Sequence, residues 1–97
     1  AMQVEIITPE SNIYSGEAVS VRLPGLDGSF QILNGHAAII SALQGGSVKV
    51  ELATAFEREE STSEMIQEDK SNDKLLHIDI KGGVAEMQNN KLIVLAE

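Results

Sequence analysis

The sequence predicts an all-β domain, either a β-sandwich or a small barrel. Several segments alternate apolar and polar residues with a period of two, and turn-forming pairs separate them at short intervals. A chain of 97 residues with no cysteine has room for one core and no disulfide to stabilise it. We therefore expect a single domain over residues 1–97 that is stabilised by packing.

The alternation is clearest in three segments, residues 17–23, 47–52 and 75–81. Each reads as a half-buried strand with its apolar residues facing inward. The predicted inward residues are Val19, Val21, Leu23, Val48, Val50, Leu52, Leu76, Ile78 and Ile80. The pairs that we assign to turns are Pro24-Gly25, Asp27-Gly28, Asn34-Gly35, Gly45-Gly46, Gly82-Gly83 and Asn89-Asn90.

Two further segments, residues 37–43 and 92–96, are apolar on both faces. Helices would cover such a sheet in a three-layer protein, but only residues 53–73 could supply a helix. One interpretation is that another protein covers part of the outer face. The alternative is that these side chains lie at sheet edges or under a loop.

Residues 53–73 differ from the rest of the chain in composition and read as an insertion between strands. Residues 57–73 carry five of the eight net negative charges. A capping box, Ser61-x-x-Glu64, could start one short helix before Met65 and Ile66, although the segment has little apolar surface to bury. We expect a solvated acidic loop. The charged residues in it are Glu57, Arg58, Glu59, Glu60, Glu64, Glu68, Asp69, Lys70 and Asp73.

The overall charge excludes several classes of function. Seven basic residues among fifteen acidic ones give a net charge of −8, which disfavours binding to nucleic acid or to anionic lipid.

The longest apolar run, residues 92–96, is far shorter than the roughly 20 residues that a membrane-spanning helix needs. No basic segment followed by an apolar one marks a secretory signal. The expected class is a non-membrane-spanning protein-binding domain.

The strongest candidates for catalysis or metal binding are His36, His77 and Asp79. His77 and Asp79 are two residues apart on one strand and so share a face, where an imidazole and a carboxylate could meet a metal or substrate. On a polar strand face, such a pair more often consists of solvent-exposed residues with no binding or catalytic role. No phosphate-binding loop or nucleophile motif is present, so the residues favour a non-catalytic domain without metal or cofactor.

The stretch PGLDGSFQILNGHAAIISALQGGSVKV, residues 24–50, resembles the signature of the epsilon subunit of bacterial F-type ATP synthases. That pattern has a Gly-x-x-Gly loop, a Pro-Gly-His turn and an apolar strand ending at a glycine turn. The opening residues 4–25, with their Tyr-Ser-Gly turn, and the closing residues 81–97 resemble the same family. The resemblance implies a flattened two-sheet sandwich of about ten short strands.

The sequence departs from the family pattern at three prolines. Asn34, Ala38 and Gly45 stand where the family has proline. Asn34 and Gly35 both accept positive φ, so we expect an equivalent tight turn there. The chain ends with the sandwich at Glu97, whereas many family members continue into a helical hairpin that restrains ATP hydrolysis. We therefore expect the hairpin and its regulation to be absent.

The resemblance implies a non-catalytic rotor subunit of a proton-translocating F-type ATP synthase. Such a subunit lies in the central stalk, peripheral to the cytoplasmic face of the bacterial inner membrane, and couples the gamma subunit to the c-ring during ATP synthesis. The resemblance implies no cofactor. The positions expected to contact gamma are Thr8, His36, Ile40 and Ser41. Those expected to contact the c-ring are Gly25, Leu26, Asp27, Gly28, Ser29, Phe30 and Gln31.

Two other hypotheses remain open from the sequence. The first is a metal-dependent enzyme built on His36, His77 and Asp79. The second is a free β-sandwich interaction module that shares only the fold with the ATP synthase subunit.

Overall fold

The structure, a computed structural model, describes all residues 1–97 and contains eight strands and no helix. The all-β prediction is confirmed. In chain order the strands are β1 (Met2–Ile7), β2 (Asn12–Ala18), β3 (Ser20–Gly25), β4 (Gly28–Leu33), β5 (Ile39–Glu51), β6 (Ile66–Glu68), β7 (Leu75–Gln88) and β8 (Lys91–Ala96).

The strands are hydrogen-bonded in the order β2-β1-β8-β7-β5-β3-β4, and β6 pairs with β7 off this path. All neighbours are antiparallel except β1 and β8, which are parallel. The sheet folds over into two layers. The first layer holds β2, β1, β8 and the adjoining halves of β7 and β5, and the second holds β6, the other halves of β7 and β5, β3 and β4.

The long strands β5 and β7 run through both layers, with 13 and 14 residues. The inward-facing residues of β7 have even numbers as far as Ile80 and odd numbers from Ala85 onward. In β5 the inward set changes in the same way between Leu43 and Val48. The change falls at the glycine pairs 45–46 and 82–83. These glycines are therefore where the sheet passes from one layer to the other.

Two sequence expectations are wrong for this reason. The glycine pairs 45–46 and 82–83 are not turns between strands, because both lie inside continuous strands. The expectation of about ten short strands is also wrong, since β5 and β7 each replace two short strands and the total is eight.

A single cluster of 20 buried apolar residues fills the space between the layers. It contains the predicted inward residues Val21, Leu23, Val48, Val50, Leu76, Ile78 and Ile80. Leu52 is half-buried and packs against the cluster. Val19 was expected inside but is 40% exposed. The chain bends at this residue, between β2 and β3, and Ala18 and Ser20 are buried on either side of it.

The acidic segment 53–73 contains no helix, so the short helix that the capping box could have started is absent. Its residues 66–68 form β6, in which Ile66 pairs with Ile78 and is buried in the core. The capping box Ser61-x-x-Glu64 does not form. The side-chain hydrogen bonds there run instead from the Glu59 N–H to the Thr62 hydroxyl and from the Met65 N–H to the Ser63 hydroxyl. Phe56 also packs against the core. The segment is thus anchored by two apolar side chains and is not a wholly solvated loop.

No helix in the structure has the length and apolar character required to cross a membrane.

Candidate docking surface

The first layer exposes a contiguous apolar surface to the outside of the sandwich, which we call the outer apolar face. Its largest exposed side chains are Ile40, 72% exposed, Leu95, 55% exposed, and Val84, 41% exposed. A folded monomer gains nothing from such a cluster, so it marks a candidate surface for another protein. The outer apolar face consists of Ile7, Ile40, Ala42, Val84, Ile93 and Leu95.

Strand register places these side chains side by side. Ala42 is paired with Val84, Val84 with Leu95, and Leu95 with Ile7, so one row crosses β5, β7, β8 and β1. In the neighbouring row, Glu86 lies between Ile40 and Ile93. Directly paired residues point to the same side of a sheet, so both rows belong to one surface. The strands that are apolar on both faces thus use one face for the core and the other for this surface.

The hairpin between β3 and β4 borders the outer apolar face at its β5 edge. The backbone N–H of Leu26 donates a hydrogen bond to the Ala42 carbonyl oxygen at 3.3 Å. Leu26 is 62% exposed, and residues 25–30 share one concavity with Ile40, Ser41 and Ala42. The expected c-ring residues 25–30 and the expected gamma residues Ile40 and Ser41 are therefore neighbours.

Three local features fix the shape of this hairpin. Gly25 leaves no room for a Cβ, since one would lie 2.9 Å from the Phe30 ring. The carbonyl oxygen of Gly25 accepts a hydrogen bond from the Gln44 amide at 2.8 Å. Gly28 has a φ of 121°, which glycine adopts without strain. Phe30 packs partly into the core, which leaves Leu26 and Asp27 at the tip of the hairpin.

His36 is held at the other end of β5 by a tight turn. Its backbone N–H donates to the Leu33 carbonyl oxygen at 3.1 Å, and Gly35 has a φ of 81°. The expected tight turn forms, and of the two residues that accept positive φ only Gly35 adopts it. This is the pattern of a type II turn, in which proline is common at the position of Asn34. The turn therefore suits the proline of the family pattern as well.

Asn90 links this turn to the hairpin between β7 and β8. Its side-chain oxygen accepts a hydrogen bond from the Gly35 N–H at 2.7 Å, and its side-chain nitrogen donates to the Asn34 side chain at 2.9 Å. The sequence identified Asn89-Asn90 only as a turn. Its second role depends on a contact across 55 residues, for which the sequence has no local signal.

Thr8 lies far along the strands from His36, near the opposite end of the outer apolar face. Its hydroxyl accepts hydrogen bonds from the backbone N–H groups of Glu10 and Ser11, which shapes the turn between β1 and β2. It borders a concavity that also includes Ile7, Val84 and Leu95. Ser41 follows Ile40 on β5, so its side chain points to the opposite side of the sheet, toward the hairpin concavity.

The structure does not bring the three metal candidates together. His77 and Asp79 share a strand face, but His77 is hydrogen-bonded to Asp69 at 2.8 Å, and Asp79 accepts from Gln67 at 3.4 Å. His36 lies in its own turn, where its Nδ1 contacts the Ala37 carbonyl oxygen. No group of three or more histidine, aspartate or glutamate side chains could hold a metal ion.

The His77–Asp69 contact instead attaches the acidic segment to β7. Hydrogen bonds from His77, and then from the side chain and backbone of Ser71, lower the pKa of Asp69 from 3.8 to about 2. The carboxylate is therefore stabilised in its charged form by the fold. Chemically, this arrangement strengthens a local attachment and offers no open position for a substrate.

Residues 1–63 match the family described as ATP synthase, Delta/Epsilon chain, beta-sandwich domain. The chain belongs to this family. The match covers the hairpin of residues 25–31, the turn at His36 and the strand that carries Ile40. It also agrees with the two-layer architecture described above.

Relatives named ATP synthase epsilon chain match nearly the whole chain. The protein from Chlorobium limicola is 39% identical over 97 residues, which are 100% of this chain and 90% of that one. The Chlorobaculum tepidum protein is 37% identical with the same coverage. The Sulfurimonas denitrificans protein is 38% identical over 99% of this chain but only 60% of its own length.

A solved structure shares the fold. One chain in the cryo-EM structure of the Tetrahymena thermophila mitochondrial ATP synthase, central stalk and c-ring, superposes with a TM-score of 0.70. The alignment covers 98% of this chain and 62% of that one, at 16% sequence identity. At that identity the likeness concerns the fold alone.

Proposed function

We propose that this chain is a non-catalytic central-stalk subunit of a proton-translocating F-type ATP synthase, where it couples the gamma subunit to the c-ring during ATP synthesis. It acts as one unit over residues 1–97, with residues 53–73 as an insertion between strands. In this role it lies peripherally at the cytoplasmic face of the bacterial inner membrane. Two observations support the proposal. The chain belongs to the family, and it covers 90% of the length of the relatives from Chlorobium limicola and Chlorobaculum tepidum.

The outer apolar face is the observation that carries the proposal. It binds gamma, with Ile40 within it and Thr8, His36 and Ser41 around it, because a partner that excludes water from the exposed Ile40, Val84 and Leu95 gains about 25 cal/mol per Å² of apolar surface. The adjacent hairpin, residues 25–31, contacts the c-ring. Its residues are Gly25, Leu26, Asp27, Gly28, Ser29, Phe30 and Gln31.

The fold suits a coupling role because both surfaces belong to one packed sheet. The hydrogen bond between Leu26 and Ala42 joins the hairpin to β5. β5 in turn pairs with β7 along its whole length. A packed core deforms little, so a torque applied at the outer apolar face reaches the hairpin.

A matched pair of valines tests the proposal. Val84 lies in the outer apolar face and is 41% exposed, and Val19 lies at the bend between β2 and β3 and is 40% exposed. We expect Val84→Asn to weaken binding to the purified gamma subunit of the same organism about tenfold or more, because docking then buries an amide without a partner. Val19→Asn should bind like the wild type.

The experiment uses titration calorimetry, with thermal unfolding of each variant to establish that it is folded. A folded wild-type chain that does not bind gamma at micromolar concentration would contradict the proposal and favour a free interaction module. Unchanged binding by Val84→Asn would place the gamma site elsewhere on the sandwich.

A further inference from the structure

Glu86 is a charged residue in the middle of the outer apolar face. On β7 it lies directly between Ile40 of β5 and Ile93 of β8. It borders two concavities, one shared with Ala38 and Ile40 and the other with Lys91 and Ile93. Any protein that covers these isoleucines must therefore also cover the Glu86 carboxylate.

The carboxylate of Glu86 makes no hydrogen bond or ion pair within the chain, unlike its neighbours on the same surface. Glu5, which lies beyond Ile93 in the same row, is 3.6 Å from the Lys91 ammonium group. Glu17, on β2, accepts a hydrogen bond from the Gln3 side chain at 3.3 Å. Glu86 depends on water alone for its solvation in the isolated chain.

Docking removes that water. A carboxylate buried without a partner costs several kcal/mol, and burial beside a cation with good geometry offsets the cost. The residues paired with Glu86 on β5 and β8 are Ile40 and Ile93, so neither directly paired side chain is polar. The one cation of this chain in the same concavity, Lys91, is already paired with Glu5 at 3.6 Å. The compensating group for Glu86 therefore comes from the partner.

We infer that Glu86 is a specificity-determining residue of the docking surface and that it pairs with an arginine or lysine which the partner presents within an apolar patch, an assignment that rests on the docking proposed above. The partner is a protein surface with one cation surrounded by apolar side chains. The carboxylate excludes purely apolar partners, because they would leave it buried and unpaired. It also fixes the orientation of the partner on the face.

Three substitutions test the pairing by their effect on the affinity for the purified gamma subunit. Glu86→Gln keeps the shape and removes the charge, and we expect it to weaken binding about 30-fold or more, because the partner's cation is then buried without its counter-ion. Glu86→Leu should weaken binding at least as much. Glu17→Gln, the control, removes a charge on β2 whose hydrogen-bond partner, Gln3, is a neutral and exposed residue of the same chain, so its effect should stay below about fivefold.

The outcomes separate this assignment from the proposed function. If the wild type binds gamma and Glu86→Gln binds within threefold, the pairing is overturned while the docking stands. Tighter binding by Glu86→Leu would likewise overturn it, because the partner patch would then be purely apolar. If the wild type does not bind gamma at all, the proposed function fails first. All variants are compared at one ionic strength, after thermal unfolding has shown that they are folded.

Discussion

At Gly83 the backbone of β7 has a φ of 146°, a conformation that side chains rarely allow. A Cβ at this position would also overlap the carbonyl oxygen of Leu95 on β8 and would lie 3.0 Å from the Ala96 Cα. Both atoms belong to the backbone and cannot move aside cheaply. Gly83 lies where β7 passes from one layer to the other, so the crossing itself requires a residue without a side chain.

We expect Gly83→Ala to lower the free energy of unfolding by about 3 kcal/mol or more, because backbone strain and steric overlap add. Gly28 is the matched control. It also has positive φ, 121°, but a Cβ there would meet nothing within 4 Å. Gly28→Ala should cost only the strain, about 1–2 kcal/mol. Urea unfolding of both variants measures the difference, and equal costs would show that Leu95 yields to the new methyl group.

Single residues also show where sequence reasoning reaches its limit. The alternation at Val48, Val50, Leu76 and Ile78 predicted the core because each segment stays within one layer. It failed at Val19, where the chain bends between two strands. A period of two describes a continuous strand, and nothing in the local pattern marks the bend.

Among the elements, the acidic segment 53–73 differs most from its expectation. Contacts between residues that are distant within the segment hold it in shape. Arg58 forms an ion pair with Glu68 at 2.7 Å and donates to the backbone carbonyl oxygens of Ser63 and Ile66. Composition alone indicated a solvated loop because it counts charges and does not show that one arginine closes the loop onto itself.

The contact between this segment and β7 makes stability depend on pH in the acid range. The pKa of Asp69 is about 2 in the fold and 3.8 in the absence of its partners, so the unfolded chain takes up the proton first as the pH falls. The stabilisation is complete above about pH 5 and is lost progressively toward pH 2. Asp69→Asn removes this contribution.

We therefore expect the stability difference between the wild type and Asp69→Asn to be largest at pH 5–6 and to shrink as the pH falls to 2. Asp73→Asn, in the same segment, removes a carboxylate that has no side-chain hydrogen bond to the sheet and serves as the control. Urea midpoints from pH 2 to pH 6 measure both differences. A difference for Asp69→Asn that stays constant with pH would contradict the assigned cause.

For the whole molecule, the sequence predicted the fold class and indicated two strands that are apolar on both faces. It did not predict which residues form the outer apolar face, because the rows that join Ala42, Val84 and Leu95 depend on pairing between strands distant in the chain. The same holds for Glu86, whose isolation among isoleucines is visible only across three strands. Family resemblance identified the hairpin of residues 25–31 and the turn at His36 without showing that the hairpin is bonded to β5.

The proposed coupling requires that the chain contact two partners at once, through adjacent surfaces. The chain has no cysteine, so a single introduced cysteine is a unique attachment point. Leu26, at the exposed tip of the hairpin, is the residue of choice for the c-ring side. In the assembled ATP synthase, Leu26→Cys that carries a short photoactivatable cross-linker should form a product with the c subunit, because this side chain faces the ring in the proposed arrangement.

Glu59→Cys, in the acidic segment on the second layer, is the matched control and should give no product with the c subunit. Mass spectrometry of the cross-linked bands identifies the partner in each case. A product between Glu59→Cys and the c subunit, with none from Leu26→Cys, would mean that the sandwich is turned over in the stalk. The outer apolar face would then lie away from gamma, and the arrangement proposed for both partners would be wrong.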